Sequence, residues 1–242
     1  MAIIWQQHID GQHYQVRQAG NTRRLITNGV FHSQYNPKHI LTGSVWDLLF
    51  LPALIMREPP KRILVLGVGG GAVIHQLNYF LKPAHIAGIE LSETHLRIAR
   101  DFFALKKKNV RLYHGDAKVF VQSYSGPGYD LIIDDLFREI DGETERALSF
   151  DSEWAASLSR IVSADGMLVV NFAHARQMRD ALAYLPAMQS SFQFTTPYCE
   201  NAVGAFSKQD LNLNGFQDRV AVNPTLQRAA AKGLLRYKVR RV

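Results

Sequence analysis

The sequence predicts an α/β protein: a doubly wound, mostly parallel sheet with a small antiparallel cap before it and a closing antiparallel hairpin after it. Two observations carry this expectation. From about residue 61 onward, short aliphatic runs alternate with amphipathic helical segments, the pattern of a parallel sheet covered by helices on both faces. Glycine or acidic residues end four successive runs, at 67–71, Glu90, Asp116 and Asp134/Asp135, and the carboxyl ends of strands are where such sheets bind ligands.

The cap comes first. Asp10-Gly11, between short alternating runs, is a hairpin signal, and Ala19-Gly20-Asn21 is a further turn. Residues 24–31 read as strand, turn, strand around Asn28-Gly29, so roughly three or four antiparallel strands are expected. Asn36-Pro37 ends this unit. Residues 41–56 are expected to form a buried helix leading through Pro59-Pro60. Its apolar stretch is too short to cross a bilayer and contains Asp47 and Pro52.

Ile63, Leu64, Val65 and Leu66 then run into a glycine cluster, as a strand buried on both faces would. Residues 72–81 place Val73, Ile74, Leu77, Phe80 and Leu81 at helical spacing. A glycine turn between strand and helix lets the backbone approach a ligand, and the helix start offers N–H groups and a positive dipole end. Gly67-x-Gly69-x-x-Ala72 fits the dinucleotide fingerprint, and it equally suits a nucleoside loop of the S-adenosylmethionine type. Glycines that merely allow close packing are the third reading. Glu90, ending a second strand 19 residues after Gly71, favours a nucleoside, because a carboxylate there can accept both ribose hydroxyls.

Beyond Glu90 the alternation continues. Ser92 and Glu93 open a helix to Ala104, and Lys106 to Lys108 form a charged, solvated turn. A third strand at 110–113 leads into Gly115-Asp116-Ala117 and a helix to Tyr124. After a loop at 125–128, the fourth strand, 129–133, ends in Asp134-Asp135. A polar loop is expected over 138–146, a helix over 151–162, and a turn at Asp165-Gly166 into a strand at 167–172. A helix at 175–185 and a closing hairpin of 192–195 with 203–207 complete the core. No repeat or low-complexity segment interrupts it.

The single cysteine, Cys199, excludes an internal disulfide and a cysteine metal cluster, and no metal site is expected. A reducing, cytoplasmic setting follows, since the N-terminus lacks the basic start and apolar core of a signal peptide. No membrane partner is expected. The formal charge of +7 is concentrated in residues 219–242, which hold seven basic residues and no acid; the other 21 basic residues match 21 acidic ones. Such a tail could bind nucleic acid, but a solvated or self-packed tail is the favoured reading.

Together, Leu66-Gly67-Val68-Gly69-Gly70-Gly71, Glu90, Gly115-Asp116-Ala117 and residues 129–135 resemble the spermidine synthase group within the S-adenosylmethionine-dependent methyltransferase superfamily. Thr27-Asn28-Gly29-Val30 is similar to that group's β-cap, and Thr195-Thr196-Pro197-Tyr198 with Gly204 to Ser207 to its closing hairpin. The resemblance covers about residues 10–208. It implies a Rossmann-like sheet of the class I methyltransferase type, divided into a cap (1–40), a nucleoside-binding domain (41–210) and a basic tail (211–242). It also implies that Gly67, Gly69, Gly70 and Gly71 line the donor, that Glu90 binds its ribose, and that Asp116 with Ala117 binds its adenine. The last pairing points away from nicotinamide dinucleotides.

Departures from the group shape the functional expectation. Ala72 stands where spermidine synthases usually carry an Asp for the amine of decarboxylated donor, Arg138 stands where a second Asp is expected, and His32 is the nearest cap residue to an expected Gln. The expected activity is therefore transfer from S-adenosylmethionine, most plausibly methyl transfer to a small-molecule acceptor, with Asp135, or failing it Asp134, orienting or deprotonating that acceptor. Ala72 in particular predicts preference for intact S-adenosylmethionine over its decarboxylated form. Alternatives are a polyamine aminopropyltransferase, an inactive nucleoside-binding member, and a nicotinamide-dependent oxidoreductase. A homodimer is a possible assembly.

Overall fold

The computed structural model describes residues 1–140 and 143–242. The cap is a four-stranded antiparallel sheet of β1 (Ala2–Ile9), β2 (Gln12–Ala19), β3 (Thr22–Thr27) and β4 (Val30–Tyr35), adjacent in that order. Its two-residue turns at Asp10-Gly11 and Asn28-Gly29 have positive φ at both positions, the geometry that matches strand twist. Tyr14, Val16 and Leu25 pack the cap onto Ile98 and Phe103 of the main domain.

The helix expected over 41–56 is shorter: α1 (Val45–Phe50), followed by a 3-10 turn over Leu51–Leu54. Asp47 explains the late start. Its buried carboxylate accepts from Thr42 N, Thr42 Oγ1 and Gly43 N, holding 42–43 in a turn. Burial raises the Asp47 pKa, against those bonds and one from Gln76.

The parallel core follows as β5 (Arg62–Leu66), α2 (Ala72–Phe80), β6 (His85–Glu90), α3 (Glu93–Asp101), β7 (Val110–His114), α4 (Ala117–Ser123) and β8 (Tyr129–Asp134). The polar loop expected over 138–146 is instead a hairpin of β9 (Phe137–Ile140) and β10 (Glu143–Arg146); residues 141 and 142 of that stretch lie outside the described residues. Then come α5 (Ser152–Ile161), β11 (Val162–Phe172), α6 (Ala175–Ala181), β12 (Ser190–Thr196) and β13 (Cys199–Ser207). The turn expected at Asp165-Gly166 is absorbed into β11 as an irregular stretch between Val162 and Met167.

The main sheet has eight strands. One more than the pattern foretold comes from the C-terminal segment: α7 (Phe216–Val222), α8 (Pro224–Ala231) and β14 (Lys238–Arg241). The order is β14-β12-β13-β11-β8-β5-β6-β7. The five strands from β11 to β7 are parallel, and β13, β12 and β14 close the sheet in antiparallel fashion. Alternation sorts side chains between two cores. Ile63, Val65, Leu131 and Ile133 face α1, α2, α7 and α8, while Leu64, Leu66, Ile132 and Val170 face α4, α5 and α6.

Residues 211–242 are therefore folded structure, not a loose tail. Leu211, Phe216, Val220, Leu226, Ala229 and Leu235 belong to the first core, and β14 pairs with β12. Several tail cations have partners within the chain: Arg219 donates to the carbonyls of Leu54 and Met56, Arg240 to Gln193, and Arg241 to Asp210.

Candidate active site

Strand order reverses at β5, whose successors β6 and β7 lie on one side and β8 and β11 on the other. A crevice at the carboxyl ends of the strands follows from that reversal. There a cavity of about 660 Å³ is lined by Gly67, Val68 and Gly69, by Glu90, Asp116 and Ala117, by Asp135 and by cap residues Phe31 and His32.

The glycine loop is built for close approach at Gly67. Its φ is +84°, and a Cβ there would collide with the carbonyl oxygen of Asp135, so only glycine lets β5 and β8 end side by side. Gly69 (φ +52°) also lines the cavity, under the His32 carbonyl. Gly70 and Gly71 do not. A Cβ at Gly70 would meet Ser33 and Phe103 beneath the cap, and Gly71 (φ +83°) abuts Leu105 as the residue before α2.

Ala72 is 4% exposed, belongs to the apolar core and does not line the cavity. The loop N–H groups of Val68 (3.0 Å) and Gly69 (2.9 Å) are taken by Glu90 Oε2, and Ser92 N donates to Oε1 at 2.9 Å. These bonds engage both lone pairs of Oε2 with the loop and tie Oε1 to the α3 turn, on a carboxylate that lines the cavity.

Glu90 is buried, with His95 Nδ1 3.6 Å from Oε1. Burial alone would favour its neutral form, but His95 and the N–H donors of Ser92 and Gly69 outweigh that and hold its pKa at about 2. His95 Nε2 lies 2.9 Å from Thr27 Oγ1 of the cap, so the cap is tied to the carboxylate through one imidazole. His32, on the cavity wall, is held neutral chiefly by burial and next by His95, its pKa lowered to about 4.

Asp116 is the N-cap of α4, Oδ1 accepting from Lys118 N (2.6 Å) and Val119 N (3.2 Å), and it also lines the cavity with Ala117. Capping and ligand contact are compatible in one carboxylate.

The adjacent aspartates part company. Asp134, 0% exposed, points into the second core side, where Oδ2 accepts from Arg146 (2.8 Å) and Trp154 Nε1 (2.8 Å). It does not line the cavity, so Asp134, the second choice of the two, is not placed to face an acceptor. Asp135 does line the cavity, with Asn171 Nδ2 donating to its Oδ1 at 2.7 Å. Burial, aided by the charges of Asp134 and Glu90 and opposed by Asn171 and Arg146, raises its pKa to about 6.

Asn171 and Asn201, His95 with Thr27, and Arg146 escaped the sequence reading. A signal existed for Asn171: it is a polar residue near the end of an aliphatic strand, as Glu90 and Asp134 are. None existed for Asn201 or Arg146, whose partners are 30 and 12 residues away. Among the described residues no group of three or more His, Cys, Asp or Glu could hold a metal ion, and no helix is long and apolar enough to cross a membrane.

A mostly parallel sheet with a glycine loop and acids at its carboxyl ends defines a Rossmann-like protein of methyltransferase type. The fold is similar to that of a probable spermidine synthase from Corynebacterium glutamicum, with a TM-score of 0.75 at 15% identity over 93% of this chain and 89% of that one. It is also similar to human methyltransferase-like protein 13 in complex with SAH, with a TM-score of 0.64 at 15% identity over 75% of this chain and 91% of the other.

The spermine/spermidine synthase domain matches residues 47–214, and the chain belongs to that family. It is 30% identical over 124 residues to the polyamine aminopropyltransferase of Vibrio vulnificus, covering 50% of this chain and 40% of that protein. With the polyamine aminopropyltransferase of Aeropyrum pernix it shares 22% over 160 residues, covering 64% of this chain and 49% of the relative. The chain thus spans less than half the length of these two relatives.

Proposed function

We propose that this chain is a polyamine aminopropyltransferase, drawing an aminopropyl group from decarboxylated S-adenosylmethionine. The reading rests on Asp135: a carboxylate at the switch-point crevice, on the cavity wall beside the glycine loop, where an amine acceptor needs one. Methyl transfer is the leading expectation from the residues, because Ala72 and Arg138 stand where carboxylates are expected; of the two, Ala72 is packed in the core and Arg138 lines the cavity. The relatives are aminopropyltransferases, which favours the alternative.

The cavity residues fit the nucleoside part of either donor. Glu90 would face the ribose, and Asp116, beside Ala117, would accept from the adenine amine. The chemistry requires alignment above all. An ammonium binds beside the ionised Asp135 and gives that carboxylate one proton, which leaves a neutral amine as the nucleophile. The amine nitrogen then attacks the carbon bound to the sulfonium, the C–S bond breaks with its electron pair going to sulfur, and the product keeps its remaining protons as a secondary ammonium. Arg138 and Glu200 also line the wall and bring opposite charges to it.

Side-by-side calorimetry with S-adenosylmethionine and its decarboxylated form, joined to product analysis with short aliphatic diamines, tests the reading. Tighter binding of the decarboxylated compound and an aminopropylated diamine are expected. Tighter binding of the intact compound with a methylated product would overturn it.

A further inference from the structure

From the closing hairpin, Asn201 donates through Nδ2 to Asn171 Oδ1 at 3.0 Å, and Asn171 in turn donates through Nδ2 to Asp135 Oδ1 at 2.7 Å. We propose that Asn201 and Asn171 form a positioning relay that locks Asp135 in one orientation and presents its second oxygen to the acceptor. The proposal rests on the aminopropyl-transfer reading for its purpose, and on the geometry alone for its existence.

An amide side chain can face a carboxylate with either its NH2 or its oxygen. Alone, Asn171 could turn over and set an acceptor against an acceptor. Asn201 removes that freedom, because the Asn171 oxygen is already committed to it. Asn171 is 2% exposed on β11, and Arg146 pins its backbone by donating to the Asn171 carbonyl at 2.6 Å. β11 and β8 pair in register at Val170 and Asp134, which places the asparagine directly beside Asp135. The relay therefore runs from β13 across β11 to the end of β8. Asn171 and Asn201 also line the cavity, so an acceptor lies against the same surface.

The relay also bears on the charge of Asp135. Asp134 and Glu90 disfavour its ionisation and Arg146 favours it; Arg138 and His174 share the cavity wall. Asn171 is the hydrogen-bond donor to Asp135 in this setting, and a donor to a carboxylate favours the charged form.

The test is a carbon-13 carboxyl titration of Asp135 by NMR, assigned with Asp135→Asn. It needs no turnover, so it can fail while the transfer reading stands, and the product analysis above can fail while the relay stands. Asn171→Ala should raise the Asp135 midpoint by about one unit, the scale of a lost hydrogen bond to a charged group. Asn201→Ala, which touches no part of Asp135, should raise it in the same direction by less, and Asn201→Ser, which keeps a donor, should restore it. Turnover in Asn201→Ala should fall while donor affinity holds, with the pH profile moving as the midpoint does. If Asn171→Ala does not fold, Asn201→Ala and Asn201→Ser decide the matter. A midpoint equal to wild type in a folded Asn201→Ala overturns the relay, as does an equal shift in Asn201→Ala and Asn201→Ser.

Discussion

Glu90 and His95 form a buried pair across the start of α3, with Nδ1 to Oε1 at 3.6 Å, and the other imidazole nitrogen reaches Thr27 of the cap. One carboxylate thus joins three parts of the molecule: the glycine loop through Val68 and Gly69, the α3 turn through Ser92, and the cap through His95. A carboxylate on the cavity wall is thereby tied to the cap through a single imidazole.

Replacing Glu90 by Gln should weaken S-adenosylhomocysteine binding more than tenfold by calorimetry, since hydrogen bonds to a charged group are worth about 1.5–3 kcal/mol each. Acid unfolding supplies a second check. The folded pKa, about 2, lies below the ordinary 4.5, so Glu90 contributes stability that is present above pH 4.5 and lost as pH falls toward 2. Glu90→Gln should lose that dependence. Unchanged ligand affinity in a folded variant would remove Glu90 from the nucleoside site.

For Asp135 the sign is opposite. Its pKa rises from 3.8 to about 6 on folding, so the folded state binds the proton more tightly and stability falls as pH rises through that window. Asp135→Asn should therefore raise Tm at pH 8 and leave it unchanged at pH 3. Turnover in the wild type should rise through about pH 6, and the variant should lose about 10²-fold in turnover with donor affinity retained. A pH-independent difference in Tm would contradict the burial account.

Arg146→Ala leaves the Asp134 carboxylate buried without its cation. A loss of about 3–5 kcal/mol is expected, read by denaturant unfolding. Replacing both, as Asp134→Leu with Arg146→Met, should cost less than the single change, because no uncompensated charge remains. Equal losses would mean that packing, not charge, sets the effect.

Deletion from Thr225 onward removes Leu226, Ala229 and Leu235 from the core and strips β14 from the edge of β12. Each buried aliphatic side chain is worth about 1.5–3 kcal/mol, so the truncated chain should unfold at a markedly lower temperature. Nucleic-acid titration at low salt separates the roles: binding that falls steeply with salt would assign the segment a second task, whereas its absence leaves structure as the task.

How much of this was legible beforehand follows a simple division. Runs such as Ile63 to Leu66 and Tyr129 to Ile133 announce strands because burial on both faces demands aliphatic side chains at every position. Gly67 and Glu90 were readable for a similar reason: a turn with φ of +84° and a strand-end acid are local requirements. That Asp134 and Asp135 point to opposite faces follows from strand geometry, but the residue string does not say which face holds Arg146 and Trp154. For the segment 211–242 the residues leave solvated and self-packed readings side by side, because its charge is visible in sequence while its apolar residues find their partners only across the fold.

The sequence by itself determined the alternation of strands and helices, the glycine turn, and the set of carboxylates at the strand ends. Each of these depends on the chemistry of neighbouring residues and on backbone conformation. Only the tertiary structure decided that Ala72 faces the core, that Asp135 and not Asp134 meets the cavity, and that Asn201 reaches Asp135 through Asn171. Those outcomes depend on which distant side chains share a face or a register once the sheet is assembled, and a contact between residues 30 or more positions apart leaves no local pattern to read.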